Sequence, residues 1–423
     1  MTDRARDRLV GLRSLPRARD LLSPWSVTNI SVYPFGPGWW PFNPSIHVDP
    51  RDGTWRCLVR CANYTLPDGI PQLSSDARVG RAQTRNVLLT LGEDLAPRSL
   101  AELVEPAASR APPRALCTSM GLEDLRLFCT RADGLVAVGC ALQHNLDHPN
   151  RPEIVLCRIG DQPSLVRTRR GDAVVPILSV DLLRGDWGFR PQKNWVPFDA
   201  TERVRLLYSI ERGIVMAEDG PAPGSPPPLL ARVPPPAYHQ IRPPGRGNTE
   251  VRLSSRTIAM VSPPRVAKHV VDRHDELRGG SQLVALPDGR WLGVAHEMTF
   301  SRIGQSKFYW HTFYTVDNAG CLLERSPALR LSGDHGIEFA AGLAIDGAGR
   351  LAVSYGTDDH EAWIATTTLD AVLQILRPAT ARADGADGAY GDGADDDSDG
   401  GDGGDDSKAN IGGVYRSDLS GER

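Results

Sequence analysis

The chain has 423 residues, 40% of them hydrophobic and 24% charged, with a formal net charge of -4. That length holds one large domain or two ordinary ones with a sizeable core. No run of about eighteen apolar residues occurs, which argues against a membrane-spanning helix. The arginines near the start (Arg4, Arg6, Arg8, Arg13, Arg17, Arg19) are followed by no apolar stretch, so no secretory signal is expected and a cytoplasmic protein is. The seven cysteines are odd in number and sit mostly in apolar runs, as reduced core thiols do. With the acidic end set aside the body is mildly basic, which suits phosphate or a nucleotide; no nucleic-acid partner is expected.

In chain order, helical periodicity appears only over Ala5–Leu22 and for a turn or two near Ser99–Val104. Strand signals fill the rest, as short runs of Val, Leu, Ile and aromatics between Gly, Pro, Asp and Asn. These runs are Thr54–Cys61, Asn86–Leu91, Leu125–Thr130, Leu135–Leu142, Ile154–Ile159, Val204–Ile210 and Ile214–Ala217, then Ser281–Ala285, Trp291–Glu297, Phe308–Val316, Cys321–Glu324, Leu351–Tyr355 and Ala362–Thr367. Tight turns at Pro50–Gly53, Pro287–Gly289 and Asp346–Gly349 predict hairpins. An all-β fold follows, and the strand count fits a propeller of about five blades, at about four strands per blade. The expected organisation is an Arg-rich arm at 1–30, a catalytic propeller at 31–376 carrying a Pro-rich insertion at 220–247, and an Asp/Gly-rich, disordered tail at 377–423.

Polar residues crowd beside the apolar runs in five places: Phe42–Ile46, Gly121–Phe128, Lys193–Phe198, Arg278 through His296 to His311, and Gly336–Gly342 followed by Ser354–Asp359. Singly, each has a structural explanation. Glu123, Asp124 and Arg126 suit a salt-bridge corner, Lys193 a solvated surface, His296 a core site, and Asp358 and Asp359 a turn cap. Glu338 lies among apolar residues, where a carboxylate needs partners.

In their order these clusters resemble the five-bladed propeller family of inverting mannoside phosphorylases, glycoside hydrolase family 130, with the related mannosyltransferases. The likeness rests on Asn43-Pro44 before a strand holding Arg60, Gly121-x-Glu123-Asp124-x-Arg126, Lys193-Asn194, Gly280-Ser281, Trp291 to His296, and Tyr355-Gly356-x-x-Asp359, and it spans about 35–373. Departures are Leu125 where the family usually has Pro, His-Glu at 296–297 where it has His-Gly, and the Pro-rich insertion.

The resemblance implies Asp124 as general acid, with Glu123 beside it tuning its proton affinity. It implies substrate contacts from Asn43, Arg60, Arg126, Trp195, Glu338, Tyr355, Asp358 and Asp359. A phosphate or donor cradle is implied at Lys193, Asn194, Arg278, Ser281, His296, Tyr309 and His311. Trp39, Trp40, Trp195, Tyr309 and Trp310 are candidates to stack on sugar rings. Asn43 stands where a retaining propeller hydrolase would carry its Asp nucleophile, which favours a single, inverting displacement. The expected partners are a carbohydrate acceptor and inorganic phosphate, a sugar 1-phosphate or a sugar nucleotide, with neither a cofactor nor a metal required. A glycosyltransferase or glycoside phosphorylase fits first. An inverting hydrolase with Glu338 or Asp359 as base, and a non-catalytic glycan-binding propeller, remain open.

Overall fold

The computed structural model describes residues 15–65, 72–74, 82–105, 119–131, 134–141, 152–160, 174–184, 194–198, 204–211, 214–218, 255–260, 277–300, 307–333 and 337–379. The Pro-rich insertion, Lys193 and the acidic end lie outside these residues. After a four-residue helix, α1 (Ala18–Leu21), come β1 (Ser26–Asn29), β2 (Trp40–Val48), β3 (Trp55–Ala62), β4 (Tyr64–Thr65), β5 (Gln72–Leu73), β6 (Ala82–Leu91), β7 (Pro97–Val104) and β8 (Ser119–Met120). Next are β9 (Leu122–Thr130), β10 (Gly134–Ala141), β11 (Glu153–Ile159), β12 (Val174–Arg184), β13 (Val196–Phe198), β14 (Arg205–Ser209), β15 (Ile214–Glu218) and β16 (Ser255–Met260). The last are β17 (Arg278–Gly279), β18 (Val284–Ala285), β19 (Trp291–Phe300), β20 (Lys307–Val316), β21 (Leu322–Arg325), β22 (Glu338–Ile345), β23 (Arg350–Thr357), β24 (Glu361–Thr368), helix α2 (Leu369–Ile375) and β25 (Arg377–Pro378). The protein is all-β, as its turn chemistry predicts.

Among the described residues the antiparallel pairings, apart from the two-residue pair β4-β5, form five consecutive groups: β2-β3-β6-β7, β9-β10-β11-β12, β13-β14-β15-β16, β17 and β18 with β19-β20-β21, and β22-β23-β24, the first three joined by parallel pairing of β12 with β7 and β16. The last group is completed from the other end of the chain, because β1 pairs with β24. The stretch assigned to the arm therefore contributes a sheet strand. β25 pairs with β21, so strand pairing also runs two residues into the segment assigned to the tail.

Five buried clusters lie between neighbouring groups. Leu58, Leu88 and Leu103 meet Leu127, Leu135 and Val155. Phe128, Val136 and Ile154 meet Trp195 and Leu206. Val196, Phe198 and Leu207 meet Leu277, Ala295 and Tyr314. Leu292, Val294 and Phe313 meet Leu343 and Val353. Ile46, Val59 and Val87 meet Ala344, Ala352 and Ile364, so the fifth group packs on the first. This explains the sequence pattern. Strands between two neighbours are buried on both faces and read as continuous apolar runs, such as β10 and β22. Outer strands alternate, as β21 does.

The expected helix near Ser99–Val104 is instead part of β7. Ala101 and Leu103 point inward and Glu102 does not, so a period of two, masked by the adjacent Leu100-Ala101 and Leu103-Val104 pairs, had read as helical. Of the expected Ala5–Leu22 helix, the described part holds only α1. The three expected hairpin turns form, with Gly53, Gly289 and Gly349 at φ 71°, 84° and 78°.

Close approach of inner strands leaves no room for side chains at some glycines. A Cβ on Gly342 would lie 2.3 Å from the backbone nitrogen of Ile46 and 2.8 Å from Cα of Ser45. Gly342→Ala is expected to lower the unfolding free energy by about 1–3 kcal/mol. Gly347→Ala, where nothing lies within 4 Å, should stay within about 0.5 kcal/mol. Urea unfolding of the two variants measures the contrast.

Candidate active site

Six described non-glycine residues have positive φ: Asn43 (46°), Leu95 (61°), Asp124 (48°), Asn194 (60°), Asp358 (49°) and Asp359 (50°). Asn and Asp tolerate this left-handed region better than other residues, at a cost near 1 kcal/mol each. Apart from Leu95, which turns β6 into β7, all fall in the polar clusters. Register breaks explain two of them. The β2–β3 pairing skips between Phe42 and Ser45, and the β9–β10 pairing slips opposite Val138–Cys140. Asn43 and Asp124 are the bulged residues, turned out of the pleat. Pro44 fits such a bulge because it has no N–H to pair.

Asp124 is held from several sides. Its Oδ1 accepts from Asn43 Nδ2 at 2.9 Å and from Arg60 Nη1 at 2.9 Å. The loop leading to it is fixed by Thr84 and Asn86, which donate to the Leu122 carbonyl at 3.1 and 3.0 Å. Gly121, at φ 99°, has no space for a Cβ against Thr84. Arg60, almost fully buried, also reaches Glu123 at 3.4 Å and donates to the Tyr64 hydroxyl at 2.7 Å. Burial works against its charge, but Tyr64, Glu123, Asp124 and Asp359 together hold its pKa well above the ordinary value. Burial raises the Tyr64 pKa despite Arg60. Arg60, Tyr64, Glu123, Asp124 and Asp359 thus form one electrostatic unit.

A second group lies on the other side of Asp124. Arg126 is buried and donates to the carbonyls of Gly280, Gly279 (3.2 Å) and Asp124 (3.2 Å), and to Oδ1 of Asn194 (3.4 Å). No described carboxylate forms an ion pair with it, and burial lowers its pKa. Gly279 and Gly280 make the approach possible, since a Cβ on Gly279 would lie 2.1 Å from the Asn194 carbonyl oxygen. Arg278 pairs across strands with His296, and His296 with His311. Both imidazoles are buried, and among the described residues neither Nδ1 has a hydrogen-bond partner. Burial, reinforced by His311, Arg126 and Arg278, pushes the His296 pKa well down. Burial takes His311 from 6.5 to about 3. Phe339 closes this group, 4.9 Å from the His296 ring, and Tyr309 lies 5.5 Å from that ring.

The structure therefore gathers Asn43, Arg60, Glu123, Asp124 and Asp359 in one place, and Arg126, Asn194, Arg278, His296, His311 and Tyr309 next to it. Other expected residues have structural surroundings. Glu338 is fully buried and accepts from the Leu331, Ser332 and Gly333 amides at 2.8, 3.1 and 2.8 Å and from the Ser332 hydroxyl. Ser281 is fully buried and bonds to Val294 and Gln282. Trp195 and Tyr355, each 1% exposed, belong to buried clusters rather than to a sugar-facing surface. Asp358 accepts from the Ile337 amide at 3.2 Å and so ties β22 to the β23–β24 turn. The sequence reading overlooked Tyr64, Thr84 and Asn86; the polar positions in an otherwise apolar β6 were the available signal for the last two.

No protein-family model and no curated protein sequence matches the chain. Among solved structures it is similar to a β-1,2-mannobiose phosphorylase from Listeria innocua in complex with β-1,2-mannobiose, at 13% identity over 82% of this chain and 95% of that one, TM-score 0.42. It is similar to a mannose phosphorylase from Leishmania mexicana in complex with phosphate, at 11% identity over 81% and 88%, TM-score 0.39. A GDP-Man-dependent mannosyltransferase from Leishmania mexicana is similar at 8% identity over 81% and 90%, TM-score 0.38.

Two consequences are measurable. Glu338→Gln weakens four charge-assisted bonds in a buried place, so it is expected to cost about 2–4 kcal/mol in urea unfolding. A catalytic carboxylate without such bonds would cost far less. Separately, the unfolded chain protonates its histidines below about pH 6.5, whereas folded His311 stays neutral down to about pH 3. The unfolded state then holds more protons, so this contribution is complete above pH 6.5 and is lost as pH falls toward 3. His311→Asn should reduce the loss of stability between pH 6 and 4.5 by up to about 1.4 kcal/mol per pH unit, read from urea midpoints at successive pH values.

Proposed function

We propose that the five sheet groups are the blades of a propeller, and that the chain is a carbohydrate-active enzyme. It transfers a hexosyl group, assigned as mannosyl from the sequence resemblance, with inversion, as a glycoside phosphorylase or a glycosyltransferase. One observation carries the reading. Asp124 lies between a unit in which three carboxylates gather around the guanidinium of Arg60 and a group in which no described carboxylate forms an ion pair with the buried Arg126. A buried guanidinium without a counter-ion favours any anion that can reach it. Phosphate, or the diphosphate of a sugar nucleotide, supplies that anion and bonds well to guanidinium and imidazole donors. The neutral His296 can donate to a phosphate oxygen without adding charge.

In phosphorolysis the bond from sugar C1 to the departing oxygen breaks while a phosphate oxygen bonds to C1. Asp124 gives its proton to the departing oxygen, and the proton of hydrogen phosphate restores it. Asn43, which cannot act as a nucleophile, supports a single displacement. Hydrolysis would need a carboxylate to activate water. Glu338 is occupied by the Leu331–Gly333 segment, and Asp359 faces Arg60 and Tyr64, which favours transfer to phosphate or to a sugar.

The test is incubation of the protein with mannose 1-phosphate or GDP-mannose and acceptor sugars, following donor consumption. Asp124→Asn is expected to lower kcat about 10²–10⁴-fold. Inorganic phosphate at a hundred times its Kd should stabilise the wild type by about 2.7 kcal/mol, and Arg278→Ala should reduce that gain. Turnover that survives Asp124→Asn unchanged would remove the acid assignment.

A further inference from the structure

Resting on the transfer reading above, we propose that Trp40 and His360, beside Asp359, form the subsite for the second sugar, the one that accepts or departs. Trp40 is half-buried and belongs to none of the buried clusters, unlike Trp195. Its ring lies 6.1 Å from the exposed His360 ring, tilted by 40°. His360 follows the two consecutive left-handed residues Asp358 and Asp359. That conformation is strained, and the Asp358 bond to Ile337 holds it. Its effect is to place the Asp359 carboxylate where it acts electrostatically on Arg60 and Tyr64 while presenting the next side chain to Trp40.

The position relative to Asp124 follows from register. Phe42 pairs with Arg60 and Trp40 with Ala62, so Trp40, Phe42, Arg60 and Ala62 share one face of the β2–β3 hairpin. The Arg60 guanidinium lies 4.9 Å from the Phe42 ring centre and 2.9 Å from Asp124. Trp40 is one two-residue step further out, about 7 Å along the strand, comparable to the width of a pyranose ring. Ala62 opposite it is small and buried, which leaves a shallow floor.

The cations of the second group belong to β9, β17, β19 and β20, whereas Trp40 belongs to β2 and His360 to the β23–β24 turn, beside the residues that meet Arg60. In a single displacement the entering and departing oxygens occupy opposite faces of the transferred ring. If phosphate takes the cation side, the second sugar takes the Trp40 side. An indole and an imidazole suit the apolar face of a pyranose, and Asp359 suits one of its hydroxyls.

Steady-state kinetics with mannose and glucose as acceptors test this. Trp40→Ala and His360→Ala are expected to raise the acceptor KM on the order of tenfold, with kcat and the donor KM nearly unchanged. Trp40→Phe should recover most of the acceptor affinity. To separate binding from any effect of Trp40→Ala on folding, the same sugars are titrated against wild type and Trp40→Phe by intrinsic fluorescence. Quenching in the wild type that falls in Trp40→Phe supports the subsite. An unchanged acceptor KM in both alanine variants, or identical quenching in wild type and Trp40→Phe, overturns it. Turnover insensitive to Asp124→Asn would overturn the acid assignment instead, and sugar quenching that depends on Trp40 would still support the subsite.

Discussion

A buried guanidinium must be solvated by the protein if water cannot reach it, and Arg126 is solvated by three sheet groups at once. It grows from β9, takes the side-chain oxygen of Asn194 ahead of β13, and takes the carbonyls of Gly279 and Gly280 at β17. It also returns to the carbonyl of Asp124. These bonds set where the inner strands stop and how close they come. They require glycine at 279 and 280, because any Cβ would enter the backbone of Asn194, Val294 or Ala340. A bond network assembled for one buried charge thus fixes the geometry of a whole site, and it does so without an ion pair to a described carboxylate.

Arg60 is the opposite case. It has carboxylates on two sides and a phenol on a third, and its pairing draws together β3, the first residues of β9 and the β23–β24 turn. The bulges at Asn43 and Asp124 serve this pairing. An extended residue would return each side chain to the pleat, where one face of the strand is already filled by the apolar clusters. Left-handed backbone is what lets a polar side chain leave a strand buried on both faces without disturbing the alternation on either side. Asn43 and Asp124, two of the left-handed residues, lie at this pairing, and the bonds from Thr84, Asn86 and Asn43 restrain the strain there.

Strands with β-branched and aromatic runs were legible because local chemistry alone determines them. Thr54–Cys61, Leu135–Leu142 and Ile154–Ile159 are off by a residue or so at their ends. β2 was not read as a strand, since Pro41 and Pro44 argue against one; only the bulge and the neighbouring sheets make those prolines acceptable. β7 had two adjacent apolar pairs that imitate a helix. Within the site, Asp124, Arg126 and Asn43 were legible from residue type and order. The partners of Glu338 and Ser281, the Leu331–Gly333 amides and the Val294 amide, were not legible, because they come from segments whose proximity is a product of folding. Trp195 shows the same limit, since an aromatic beside a polar cluster can face either way.

The two arginines give the site its polarity. Around Arg60 three carboxylates, Glu123, Asp124 and Asp359, gather on one guanidinium. Around Arg126 no described carboxylate forms an ion pair, and burial keeps His296 and His311 neutral there, with His311, Arg126 and Arg278 adding to the effect on His296. Asp124 lies at the boundary, bonded by its side chain to the first group and by its carbonyl to the second. Under the proposed function, an anion entering the second group would lower the positive potential at Asp124 and make protonation of that carboxyl easier, so that anion binding and arming of the proposed acid would be coupled through one residue. This coupling needs no moving part, only two buried guanidinium groups whose surroundings differ in charge.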